Sequence, residues 1–371
     1  MERIKSLDVL RGVAILGTFG TNVWIFSSPD GLAAVLGGGG PLESGLRALS
    51  NGKFLALLSI LFGVGLAIQH ASAVRRGARW PGWYLWRSAL LLLEGALHYV
   101  LVFEFDVLMF YAVIAVVCAF VVGRGTKVIR GWMIGAGVVL VAEVGLLTVA
   151  LYGSGLGGGG ATDTSSWLDQ VAFRLDHVLA LRSEGVLVLP LGVLLFLAGA
   201  QLLRAGALEQ SMRGDVLRRK LITWGLGVGV PLNALTAFGG TDWALVDRYL
   251  CAPVVAFGLL GAITALVHRM GERAGPLRQG VTAVGRCALS CYIAQNVLAS
   301  ILCYRWGLGI TGGPLWTVCC FVLVSAAVLL GAWLWLRRFP RGPVETVWDL
   351  AYRAPQRLSS RRTRCLPGRS A

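Results

Sequence analysis

The sequence predicts an all-α, polytopic integral membrane protein of about ten transmembrane helices with both termini in the cytoplasm. Three observations carry that expectation. The 371 residues are 56% hydrophobic and only 14% charged, with mean hydropathy +0.70, a balance outside any soluble globular class. Apolar stretches recur along the whole chain, several near the ~20 residues that a ~30 Å hydrocarbon core requires. The loops between them alternate in sign, basic then acidic, which orients each helix.

In order, the expected spans are 8–27, 52–71, 84–103, 106–123, 131–152, 185–204, 220–240, 247–268, 285–304 and 315–336. Arg3 and Lys5 precede the first, and Arg75, Arg76 and Arg79 follow the second. Arg124, Lys127 and Arg130, then Arg213, Arg218, Arg219 and Lys220, then Arg269, Arg273 and Arg278 mark the later cytoplasmic loops. The opposite loops hold Asp30 and Glu43, Glu104 and Asp106, Asp163, Asp169 and Asp176, and Asp242 and Asp247. Residues 1–336 are therefore expected to form a single transmembrane domain, followed by a basic cytoplasmic tail over 337–371 with nine arginines against Glu345 and Asp349. The formal charge of +15 is accounted for by these loops and the tail, so no nucleic-acid partner is implied. Arg3 and Lys5 ahead of an apolar run resemble a signal peptide, but Asp8 and Arg11 interrupt the run and no A-x-A site follows, so an uncleaved first helix is expected.

The eight cysteines lie almost entirely in apolar segments with no CxxC pair, which argues against a disulfide framework or a metal site and for small core residues. Fifty glycines suit close helix contact in lipid, for example Gly131 and Gly135 or the Gly225, Gly227, Gly229 run. Two outer loops carry flexible glycine runs, 37–40 and 157–160. After the second, residues 166–182 read as an amphipathic helix on the outer surface, with Ser166 and Asp169 as its capping pair.

Chemistry concentrates in 84–106, where Arg87, Glu94 and His98 share one face of a helix otherwise long and apolar enough to span. Each ionisable group in hydrocarbon costs at least ~2.5–3.5 kcal/mol, so three on one face need partners or a task. Span one has the same layout, with Arg11 at its cytoplasmic end and Thr18 and Asn22 deeper on that face. Span nine begins at Arg286 and carries Tyr292, Gln295 and Asn296 near its middle. Arg11, Arg87 and Arg286 thus form a candidate cytoplasmic mouth for a phosphorylated ligand, with His98 further in. Glu94 lies one turn from His98, and Asp106 returns to its outer end after a short turn, followed by Tyr111; either carboxylate is a candidate partner for the imidazole.

At these residues the chain resembles a known family. Arg3–Asn22 is similar to the LDxLRGxAILGI…N opening of the YeiB-like membrane proteins, known as domain of unknown function 418, and Lys53–Gly65 is similar to their KF…LFGxG segment. Gly95–Val113 resembles their GxxHGxLxxxGDIL…Y stretch, Val284–Gln295 their GRMALTNYLxQ, and Arg341–Arg353 their closing GPxEWLWR. The family's glycine before the aspartate is here Phe105, and its asparagine before the tyrosine is Cys291. At the superfamily level the family is similar to transmembrane acyltransferases, which include heparan-α-glucosaminide acetyltransferase and the acyltransferase-3 enzymes. That resemblance implies a multi-pass enzyme of the cell membrane that takes an acyl group from a cytoplasmic acyl-CoA co-substrate, acetyl-CoA first among them, to a small-molecule or glycan acceptor. It implies no bound cofactor or metal. Lipid is the expected surrounding partner, and homo-oligomerisation stays open.

The expected site is then His98 as general base or acyl carrier, with Glu94 and Asp106 as carboxylates and Arg11, Arg87 and Arg286 as donor ligands. Asn22, Tyr111, Tyr292 and Gln295 are the candidates for oxyanion or substrate contacts. The alternative is a small-molecule or lipid transporter or flippase using the same polar stripe, and a third reading has these groups fixing helix pairing only.

Overall fold

A computed structural model describes residues 5–28, 40–152, 163–271 and 275–364. Arg3, Asp30, Arg273, Cys365, the glycine run at 157–160 and all but the last residue of that at 37–40 lie outside them. Helices are the regular structure of the described residues, with no strand among them, and the protein is an all-α, multi-pass membrane protein. Its helices are α1 (Lys5–Ser27), α2 (Pro41–Ser50), α3 (Lys53–Arg75), α4 (Trp83–Leu101), α5 (Leu108–Val122), α6 (Thr126–Leu151) and α7 (Trp167–Asp176). There follow α8 (Gly185–Arg204), α9 (Met212–Gly227), α10 (Gly229–Phe238), α11 (Ala252–Met270), α12 (Pro276–Arg286), α13 (Ala288–Cys303), α14 (Pro314–Arg338) and α15 (Pro343–Arg364).

Seven continuous helical segments among the described residues are long and apolar enough to cross a membrane, and α12 with α13 makes an eighth only as a bent pair. The expected spans 84–103 and 106–123 correspond to α4, which carries Arg87 and Glu94, and to the 15-residue α5. α4 is less plainly apolar than the seven because it carries Arg87, Glu94 and His98, and α5 is shorter than they are.

The expected continuous helix over 285–304 is broken instead. The chain bends by 97° between α12 and α13, with Cys287 at φ −111°, ψ 36°. Gly285 presses against α1 so closely that a Cβ there would sit 1.7 Å from the Asp8 carbonyl oxygen. Gly12 on α1 approaches the Val281 carbonyl in the same way. This contact pulls α12 along α1, while α13 turns inward against α1 and α14.

A helix that starts inside a membrane protein leaves its first N–H groups without partners. Here the tail helix supplies them. Glu345 Oε1 on α15 accepts from Leu289 N at 2.8 Å and Ser290 N at 3.1 Å, and its other oxygen takes the Ser290 hydroxyl. Ser290 Oγ in turn accepts from Val344 N at 3.0 Å. The beginning of the tail is thereby fastened to the break.

The amphipathic segment is shorter than expected. Ser166 Oγ does accept from Asp169 N, but α7 ends at Asp176 and a second short turn, Val178–Leu181, leads into α8. Arg174 is buried, not solvated. It pairs with Glu104 at 3.2 Å and donates to the carbonyls of Val100 and Val102, the last turn of α4 and the residue beyond it. Asp247, expected in an outer loop, is also buried and accepts from Asn51, Asn233 and Thr236. Of the glycines expected between helices, Gly225 and Gly229 meet α11, while Gly131, Gly135 and Gly227 have open space beside them.

The trans cap gives a direct test. Glu345→Ala is expected to lower stability by about 1–2 kcal/mol, the usual worth of a lost cap, and to speed amide exchange at Leu289 and Ser290. Glu345→Gln, which keeps an acceptor, is expected to recover most of it. Thermal unfolding in detergent and hydrogen exchange read both.

Candidate functional site

The centre of the molecule is a chain of hydrogen bonds through four helices. Asp106 initiates α5 like a capping residue, with Oδ2 accepting from Leu108 N at 2.9 Å and Met109 N at 3.3 Å. Its other oxygen faces His98 Nδ1 at 3.0 Å and accepts from the Tyr292 hydroxyl at 3.3 Å. His98 Nε2 lies 3.2 Å from Asn296 Nδ2, and Asn296 Oδ1 accepts from Asn22 Nδ2 at 3.4 Å. One assignment of protons satisfies every pair. Nδ1–H of His98 donates to Asp106, which leaves Nε2 as an acceptor for the Asn296 amide.

Local sequence explains why Asp106 can serve both helices. Residues 102–107 form a tight connection between α4 and α5, and Gly95 lets the two helices close on it. A Cβ at Gly95 would lie 2.6 Å from Met109 N and 2.9 Å from Asp106 Oδ2. From outside, Arg182 donates to the backbone carbonyls of Asp106 and Glu104 and stacks over Tyr99 and Phe110. Together with Arg174 it closes that end. Asp106 is fully buried and His98 nearly so.

Beside this chain is a partly open cavity of about 450 Å³. Arg11, Arg87, Arg286 and Arg341 line it with Tyr84 and Gln69, and its deeper wall includes Ile15, Leu58, Phe62, Leu91, Glu94 and Tyr292. Tyr292 separates the cavity from His98, with ring centroids 4.9 Å apart. The tail contributes Glu345, Trp348 and Asp349 to the same wall. Trp348 carries the Arg87 guanidinium over its ring at 4.5 Å, and Arg341 pairs with Asp349. A volume in the range of small-molecule sites, four guanidinium groups and an apolar depth suit an anionic amphiphile.

The three arginines expected at a common mouth do meet in one cavity. Between the two candidate carboxylates, His98 takes Asp106. Glu94 faces the cavity, with neither carboxylate oxygen hydrogen-bonded among the described residues. Asn22 and Tyr292 join the central chain, but Tyr111 and Gln295 do not. The Tyr111 hydroxyl bonds Ser59 and the Leu55 carbonyl, tying α5 to α3, and Gln295 donates to the Ile15 carbonyl. The ring contact and the amide at Nε2 come from Tyr292 and Asn296, four places apart on α13, so Asn296 takes the place expected of Gln295.

Asn296 was visible as a mid-span polar residue, but nothing ranked it above its neighbour. Arg341, Glu345 and Trp348 lie in a stretch that reads as a solvated tail. Only the Glu345 and Trp348 motif within Arg341–Arg353 hinted otherwise.

These features define a class: a multi-pass helical membrane protein with a buried His–Asp pair next to an arginine-lined cavity. The model of the family described as "Protein of unknown function (DUF418)" matches residues 202–354. The chain is similar to the uncharacterized protein YeiB of Escherichia coli (strain K12), with 29% identity covering 94% of this chain and 96% of the relative. It is also similar to the uncharacterized protein YxaH of Bacillus subtilis (strain 168), with 27% identity covering 94% of each.

The pairing predicts the cost of losing Asp106. Asp106→Ala uncaps α5 and leaves the His98 Nδ1–H and the Tyr292 hydroxyl buried without an acceptor, so a destabilisation of about 2–4 kcal/mol is expected. Gln295→Ala, outside the chain, is expected to cost less than Asn296→Ala. Thermal melting of the purified variants measures both.

Proposed function

We propose that the protein is an acyltransferase of the cell membrane, which moves an acyl group from a cytoplasmic acyl-CoA-type thioester to a hydroxyl or amine acceptor. The observation that carries this reading is the juxtaposition of two sites usually needed together. Four arginines gather where a phosphorylated donor can enter, and a carboxylate-held imidazole lies one side chain beyond the cavity wall.

Phosphates of the donor bind Arg11, Arg87 and Arg286, and the thioester reaches toward Tyr292. The Asn296 amide occupies the position at His98 Nε2 where an acceptor O–H or N–H would donate. When the acceptor replaces it, Nε2 takes the acceptor proton as the oxygen or nitrogen attacks the thioester carbonyl. Asp106 stabilises the imidazolium that forms. Collapse of the tetrahedral intermediate breaks the C–S bond, and the imidazolium returns the proton to the departing thiolate. Asn22, Asn296 and Tyr292 are the nearby donors available to the oxyanion.

The broken span favours a second reading. Discontinuous helices are common at transport sites, and α12 with α13, bent by 97° at Cys287, form one. In that reading the cavity passes an anionic amphiphile across the bilayer without covalent change.

Protein reconstituted in vesicles with labelled acetyl-CoA and a set of hydroxyl and amine acceptors separates the two. Enzymatic transfer is expected to release free thiol and to fall by about 10²–10⁴-fold in His98→Ala, the usual contribution of a positioned base. Arg87→Gln is expected to act mainly on KM. Intact labelled thioester crossing the vesicle wall, with no thiol released, would establish transport and end the acyltransferase reading.

A further inference from the structure

Glu94 differs from the other ionisable groups around the cavity. His98 has Asp106, Arg87 has Trp348, Arg341 has Asp349 and Glu345 has the start of α13. Both oxygens of Glu94 are shielded from solvent, yet no donor among the described residues reaches them. The side chain nevertheless forms part of the cavity wall. An unsatisfied carboxyl group inside a membrane protein is costly, and replacing it with an apolar residue of similar size would normally be neutral or stabilising. Its presence in a void points to a partner that comes with the ligand.

We propose that Glu94 receives an N–H or O–H group on the ligand's connecting arm, while Arg87 and its neighbours hold the ligand's anionic end. Seven residues separate Arg87 from Glu94 on α4, which places the two contacts roughly 10 Å apart along the helix at 1.5 Å per residue. The ligand class is therefore a phosphate-bearing molecule with a polar arm, carrying an amide or hydroxyl at about that distance from the charge. A plain fatty-acyl phosphate would leave the carboxyl group unmatched. This inference rests on reading the cavity as the donor site and narrows the donor to arm-bearing thioesters such as acetyl-CoA.

The experiment compares two probes by calorimetry on the purified full chain. Acetyl-CoA carries the amide-bearing arm, and an adenosine bisphosphate carries phosphates without it. Glu94→Leu is expected to weaken acetyl-CoA binding about tenfold, the equivalent of one hydrogen bond to a carboxyl group. Its affinity for the bisphosphate should be unchanged and its ligand-free melting temperature equal to or above that of the wild type. Glu94→Gln, which keeps an acceptor, should stay within about threefold of wild type for acetyl-CoA.

Undiminished acetyl-CoA binding by Glu94→Leu overturns the proposal and leaves the donor-site reading in place. Equal loss of both probes, with a lowered melting temperature, makes Glu94 structural and also overturns it. If the wild type binds neither probe, the donor-site reading fails and takes the assignment of Glu94 with it.

Discussion

A polar group buried in a membrane protein has to find its hydrogen bonds inside the protein. That constraint organises the centre of this molecule. Asn22, Asn296, His98, Asp106 and Tyr292 come from α1, α13, α4, the α4–α5 turn and α13, and each satisfies the next. Asp106 is the junction, since the carboxylate that orients the imidazole also starts α5. Stability and chemistry are hard to separate there. A satisfied network of this kind gives a rigid, specific core, and it also fixes which ring nitrogen of His98 carries the proton.

The second organising feature is the break between α12 and α13. By stopping one helix against α1 and starting another inside the protein, it places Tyr292 and Asn296 on a helix whose first turn opens at the cavity. The carboxylate of Glu345 then does what a side chain in the preceding loop would do in a soluble helix. Because the same tail segment contributes Trp348 and Asp349 to the cavity wall, the state of the tail and the shape of the cavity are mechanically linked. Arg174 and Arg182 close the opposite end by donating to carbonyls around the α4–α5 turn.

Much of this was legible from residue order. Hydropathy and loop charge located the helices, because segments of about membrane length leave a one-dimensional trace. The shared faces of Arg87, Glu94 and His98, and of Arg11 and Asn22, followed from helical period. The family motifs pointed to the same residues. What escaped were features set by packing between distant segments. Beside the bend at Cys287, Gly12 and Gly285 meet across α1 and α12; both lie in the family motifs, but nothing in the residues says that the two pack against each other. The choice of Asp106 over Glu94 for His98 depends on a six-residue turn whose path the residues alone do not fix. Glu345 reads as part of a solvated tail because long charged side chains usually are solvated, and nothing in the residues marks Arg174 for burial. Their partners are 55 and 70 residues away.

The central claim is that the cavity and the His98–Asp106 pair act on one ligand. The most direct measurement is an experimental structure of the protein with an acyl-CoA analogue whose thioester sulfur is replaced by a methylene group. The account predicts phosphates among Arg11, Arg87 and Arg286, the acyl carbonyl beside Tyr292, and the Asn296 amide moved away from the imidazole. An analogue bound elsewhere, or one seated in the cavity with its acyl end directed away from Tyr292, would contradict it.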